Sequence, residues 1–171
     1  MPPEIRVIGV EGMPEVQPGD DISNQMMDAA DAQGTPVEAG DIVVVTQKVI
    51  SKTEGRVITL EGIEPSELAI RITEGHRRDP RHTEMILRES ARIVRMDRGV
   101  IISETHHGFQ CANAGIDASN IPGSNTIALL PVDPDASARR VRDAVKSRMG
   151  VDVAVIISDT FGRPWRAAAV N

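Results

Sequence analysis

Tyrosine is absent from this 171-residue chain, and tryptophan occurs once, phenylalanine twice and cysteine once. With Cys111 alone, no internal disulfide can form. So few aromatic side chains cannot build the stacking platform that grips single-stranded nucleic acid. A nucleotide held here would therefore be held mainly through its phosphates. No apolar run approaches bilayer length, and Met1-Pro2-Pro3-Glu4 has neither the basic segment nor the apolar stretch of a signal peptide. Together these absences point to the cytosol and away from a membrane. Positive charge is also in deficit, with 19 Lys and Arg against 25 Asp and Glu, a net charge of −6. That balance disfavours a non-specific nucleic-acid surface. It leaves room for a local phosphate site, because clusters matter more than the sum.

What is present suits one domain with a hydrophobic core: 40% apolar and 26% charged residues. Short β-branched runs predict strands at 5–10, 42–46, 56–60, 92–96, 100–104, 126–130 and 151–158. The last is nearly all apolar, which predicts burial on both faces. Helical patterns lie between them. Asp20 or Asp21 can cap a helix running to Ala32, Pro65 suits a first helical position ahead of Gly75, and Pro80 opens a third helix. The clearest helix starts at Asp133-Pro134-Asp135, continues through the stripe Ala138, Val141, Val145 and Met149, and ends at Gly150. This reads as a mixed α/β or α+β class, a mixed sheet with flanking helices. The segment 74–82, with two histidines and three arginines, reads as a charged surface loop, although its cations could touch an anionic ligand.

Three segments carry more polar residues and glycine than folding requires. In the first, the strand 42–46 runs into Gln47-Lys48-Val49-Ile50-Ser51-Lys52, whose lysines can act as point charges on phosphate oxygens or simply meet water. The second, from Glu104 to Asn120, follows a strand and gathers small residues around Asp117, which suits a hard cation. Adjacent His106 and His107 with Cys111 make a poor zinc set, and Cys111 reads as a buried structural thiol. The third is an apolar strand ending in Ser158-Asp159-Thr160-Phe161-Gly162-Arg163-Pro164-Trp165-Arg166. It offers a carboxylate and a hydroxyl at a sheet edge, although Asp159 could merely cap a turn. No Walker-type loop, G-x-G-x-x-G or nucleophile elbow occurs.

Four ordered motifs resemble the coenzyme F420-0:γ-glutamyl ligase family. They are Gly12-Met13-Pro14-Glu15 with Pro18-Gly19-Asp20-Asp21, the stretch from Val45 to Arg56, Asn113-Ala114-Gly115-Ile116-Asp117 through Asn120, and Ser158 to Arg166. Gln47 stands where the family often has Ser, and Met13 where it commonly has Leu. The resemblance implies a two-part mixed α/β ligase fold, cytoplasmic and homodimeric with interlocked subunits. It further implies GTP contacts at Gly12, Met13, Pro14, Glu15, Gln47, Lys48, Lys52 and Asn120. Asp117 and Asp159 would hold one divalent ion, Mg2+ or Mn2+, and Thr160 a second, with K+ as a further candidate.

The implied reaction joins L-glutamate to coenzyme F420-0, with GTP first converting the acceptor carboxylate to an acyl phosphate. A metal-dependent phosphohydrolase and a non-catalytic nucleotide-binding module are the alternatives. In the family another strand and a long C-terminal portion follow this point. The resemblance therefore implies that residues 1–171 are a partial ligase domain, binding metal and GTP weakly and turning over poorly alone.

Overall fold

A computed structural model describes residues 4–97, 99–118 and 125–160. Along the chain run α1 (Ile22–Ala32), β1 (Ile42–Thr46), α2 (Gln47–Thr53), β2 (Val57–Thr59), α3 (Glu67–Thr73) and α4 (Pro80–Arg88). Then come β3 (Ser90–Asp97), β4 (Val100–Thr105), β5 (Gln110–Ala112), a 3-10 turn (Asn113–Gly115), β6 (Thr126–Ala128), α5 (Pro134–Met149) and β7 (Ala154–Ser158). The mixed α/β class expected from the residue rhythms is the class observed. No described helix is long and apolar enough to cross a membrane.

Parallel pairing of β1 with β7 organises one half. Its register runs from Ile42↔Ala154 to Thr46↔Ser158. On the inner face Val43, Val45, Val155 and Ile157 pack toward α1 and α5, against Ile22, Met26, Met27, Val141 and Val145. Both helices have local reasons to form. Asp21 accepts from the Asn24 amide at 3.0 Å, and Asp133 accepts from the Ala136 amide at 2.8 Å. Gly150 ends α5 at φ 71°, a left-handed cap that favours glycine.

The other half is antiparallel. β2 pairs with β6, and β3, β4 and β5 form a meander. Met85 and Ile86 of α4 pack with Ile101, Ile116, Ile127 and Leu129 into its core. Arg56, just before β2, ties the chain leaving β6 to the end of α4, donating to the Leu130 carbonyl at 2.9 Å and pairing with Glu89 at 2.6 Å.

Several expectations are corrected. Residues 5–10 form no strand: Ile5 and Val7 are 91% and 90% exposed, and only Val10 packs on the core. Among the described residues this β-branched run has no strand to pair with, and propensity alone does not make a strand. α3 starts at Glu67 with Ser66 as its cap, so Pro65 precedes the cap and does not occupy the first helical position. β7 begins at Ala154 and is half-buried, not covered on both faces, and Ile42 and Val44 of β1 are likewise exposed. The polar stretch after β1 is helical, a seven-residue α2 with Gln47 and Ser51 buried. Pro80 opens α4 as expected, with Asp79 as its cap.

Glu84 locks α4 to the start of α3. Its carboxylate accepts from the Ser66 amide at 3.0 Å and from Arg88 Nε at 2.8 Å. The Ser66 bonds foremost, then Arg88, hold its pKa down from 4.5 to about 2. The folded state thus binds its proton less readily than the unfolded chain, so Glu84 stabilises above its ordinary pKa. That contribution is lost as pH falls from about 4.5 toward about 2. Glu84→Gln should therefore flatten this limb of the urea midpoint against pH, whereas an unchanged limb would contradict the assignment.

Candidate functional site

Because β1 and β7 are parallel and in register at Thr46↔Ser158, the residues that follow them leave the sheet at the same end. The carboxyl ends of parallel strands are where open α/β sheets bind ligands. Lys48 follows β1, and Asp159 with Thr160 follows β7. Asp117 arrives from the antiparallel half, fixed by reciprocal backbone bonds with Ala128, 3.0 Å to its carbonyl and 2.8 Å from its amide. Lys48 Nζ lies 2.8 Å from Asp117 Oδ2. Burial is the first cause raising the Asp159 pKa. The Asp117 charge adds to it, while the Thr160 amide at 2.7 Å and the Lys48 charge oppose it.

Helix α2 spans the site. Lys48 and Lys52, one turn apart, lie about 6 Å along its axis. Lys52 pairs with Glu15 at 2.6 Å, so the segment Gly12, Met13, Pro14 and Glu15 reaches the far end of α2. Half-buried Met13 anchors that segment on the Met26–Met27 cluster. Gln47 is buried at the near end. Its Nε2 donates to Ser51 Oγ at 2.6 Å and to the Leu129 carbonyl at 3.0 Å, and Ser51 Oγ donates to the same carbonyl at 2.6 Å. Gln47 thus pins α2 onto the chain leaving β6. Asn120 and the motif from Phe161 to Arg166 lie outside the described residues.

The turn that delivers Asp117 is conformationally costly. Asn113 and Ala114 have φ of 56° and 55°, and Gly115 follows at 71°. A Cβ on Gly115 would lie 2.9 Å from Leu130 Cδ1. A side chain there is opposed by both backbone and space, and three left-handed residues in succession persist only where the surroundings impose them.

A metal fits this donor set in part. Two carboxylates and a hydroxyl are hard oxygen donors suited to Mg2+ or Mn2+, and Mg2+ is commonly held by one or two carboxylates plus substrate phosphates. The mutual charge of Asp117 and Asp159 leaves a deficit that a cation would relieve. Among the described residues no group of three His, Cys, Asp or Glu side chains converges, so any remaining ligands would come from elsewhere.

Residue patterns alone do not reveal a cavity of about 190 Å3 beside Asp159, walled by Gln47, His107, Phe109, Pro131 and Ile157. The His107 and Phe109 rings stack with centroids 6.1 Å apart. His107 Nε2 is 2.7 Å from the Pro131 carbonyl and so acts as the donor. His106 Nε2 faces the Arg88 carbonyl at 3.0 Å, and Cys111 is fully buried.

The sequence profile of the family described as F420-0:Gamma-glutamyl ligase matches residues 11–171. The Coenzyme F420:L-glutamate ligase of Methanothermobacter thermautotrophicus is 47% identical over 167 residues, 98% of this chain and 66% of that protein. Those of Methanopyrus kandleri and Methanocaldococcus jannaschii are 44% and 41% identical, covering 99% and 98% of this chain and 65% of each relative. The chain thus spans just under two thirds of the length of these relatives.

Gly115→Ala should destabilise the fold by at least about 1–2 kcal/mol, the usual penalty for a left-handed Cβ, with the Leu130 clash in addition. Chemical denaturation measures this, and a change within about 0.5 kcal/mol, typical of a neutral surface substitution, would contradict it.

Proposed function

This chain belongs to the F420-0:gamma-glutamyl ligase family, and from that premise we propose that it forms the nucleotide- and metal-facing part of an enzyme joining L-glutamate to coenzyme F420-0, driven by GTP. The observation that carries the reading is the convergence of Lys48, Asp117 and Asp159 at the carboxyl ends of β1 and β7.

A carboxylate does not accept an amine directly, because its oxygen is a poor leaving group. In the proposed reaction an acceptor carboxylate oxygen bonds to the γ-phosphorus of GTP, and the bond from that phosphorus to the β-phosphate oxygen breaks, releasing GDP. The glutamate amine then attacks the acyl carbon, inorganic phosphate leaves, and the amine proton passes to solvent. Lys48 and Lys52 neutralise phosphate oxygens along α2. Gly12, Met13, Pro14 and Glu15 border the nucleotide at the Lys52 end, Gln47 holds α2 in place beside it, and Asn120 completes the contacts. Asp117 and Asp159 would hold one Mg2+ or Mn2+, with Thr160 serving a second. Once bound, such ions supply charge neutralisation for phosphoryl transfer.

In the ion pair with Asp117, Lys48 occupies the charge role that a divalent ion would take over. The cation would then free its ammonium for phosphate. The cavity beside Asp159, smaller than a typical pocket of roughly 300–1,000 Å3, suits the acceptor's carboxylate arm and not a whole deazaflavin. K+, a homodimer and a cytoplasmic location belong to the same proposal.

Asp117→Asn and Asp159→Asn test it. Each should abolish the rise in melting temperature that Mn2+ with GTP gives the parent chain, while far-UV circular dichroism stays unchanged. Phosphate release that ignores F420-0 and glutamate would instead favour a phosphohydrolase. Variants that bind Mn2+ and GTP as the parent does would overturn the assignment of both carboxylates.

A further inference from the structure

The composition of the connection between α3 and α4 predicts a solvated charged loop. Part of it is only half exposed. Asp79 caps α4 and pairs with Arg81 at 2.6 Å, which closes that charge pair on itself. Arg78, between Arg77 and Asp79, turns inward. It is half-buried, and its Nη1 donates to Asn113 Oδ1 at 3.0 Å.

That environment is unusual within the chain. Nine described arginines stand at ion-pair distance from a carboxylate. Of the other four described arginines, Arg6, Arg71 and Arg77 are exposed to water. Arg78 alone among the described arginines combines partial burial with no carboxylate partner. Desolvating a cation without a counter-charge is costly, and a neutral amide oxygen repays little of that cost. Desolvation accordingly pulls the Arg78 pKa below its ordinary value. Among the described residues no carboxylate pairs with Arg78, Asp79 being taken up by Arg81. Half-buried His82 feels the Arg78 charge and is itself held below its usual pKa, first by burial, with Asp79 opposing. His76 packs elsewhere, within 3.3 Å of where a Cβ on Gly99 would stand.

Asn113 gives this cation an address. It begins the left-handed turn that leads to Asp117, so it links the Arg78 guanidinium to the loop that carries a candidate metal ligand. The Asn113 bond uses one Nη1 hydrogen and holds the planar fork, whose remaining donors match the paired oxygens of a carboxylate or phosphate.

From this we propose that Arg78, steadied by Asn113, is an oxyanion-binding residue that receives an anionic group of a substrate. The inference rests on the ligase reading for the identity of that substrate, though not for the existence of the anion site. Two sources share the chemistry: a carboxylate of glutamate, and a phosphate of the nucleotide or deazaflavin.

The test measures thermal stabilisation of the 171-residue chain by L-glutamate and by inorganic phosphate, each with and without Mn2+. Arg78→Gln and Arg78→Lys are compared with the parent. Arg78→Gln can keep a bond to Asn113 while removing the uncompensated charge. It should therefore be at least as stable as the parent without anions, and should bind the recognised anion about ten- to a hundredfold more weakly, as expected for a lost charge-assisted bond. Arg78→Lys keeps the charge, loses the fork, and should fall between them, which settles the matter if the glutamine variant fails to fold. Weakening toward glutamate alone identifies a carboxylate site, and weakening toward phosphate identifies a phosphate site. Equal anion responses in the parent and both variants would overturn the proposal. Mn2+ stabilisation should be unchanged in both variants, so its absence from the parent would count against the ligase site and leave the Arg78 result standing.

Discussion

The parallel pairing of β1 with β7 is the constraint on which the rest depends. Parallel strands send their following residues out at the same end, so Lys48 and Asp159, more than a hundred residues apart, share one edge. Antiparallel pairing would put them at opposite ends of a five-residue strand pair. Everything else positions a third component against that edge. Gln47 and Ser51 bond α2 to the Leu129 carbonyl, and the Asp117–Ala128 bridge brings the second carboxylate to the same segment. The chain leaving β6 is therefore the common support for lysine and carboxylate.

This arrangement concentrates charge where folding gains least from it. The Lys48–Asp117 pair is partly shielded, and Asp159 is half-buried beside it. Ion pairs of this kind add little net stability once desolvation is counted. The turn through Asn113, Ala114 and Gly115 also holds left-handed backbone next to the same carboxylate. Unfavourable conformation and crowded charge commonly accompany functional sites. Here they lie at the carboxyl ends of β1 and β7, the end of the sheet where the proposed ligation would need them.

Legibility from sequence followed the local strength of each signal. α5 carries an Asp-Pro start, a helical stripe and a terminal glycine, and its bounds were readable almost to the residue. α2 was not readable, because it has seven residues and continues a β-branched run. Its helicity depends on tertiary bonds from Gln47 and Ser51. Residues 5–10 show the reverse case, a strand-like composition that pairs with no strand among the described residues. At the site, Asp117 and Asp159 stood out as acidic positions close to strand ends. The Lys48–Asp117 pairing could not be seen, since it needs the β6 support. Arg78 was hidden in a segment whose composition resembles any solvated loop, and only its burial against Asn113 separates it from Arg77.

The most direct measurement is the anomalous diffraction map of a crystal of this chain soaked with Mn2+. The account predicts a peak within coordination distance of carboxylate oxygens from both Asp117 and Asp159, with the Lys48 ammonium withdrawn from Asp117. A peak elsewhere, or no peak with the Lys48–Asp117 contact intact at saturating Mn2+, would contradict it.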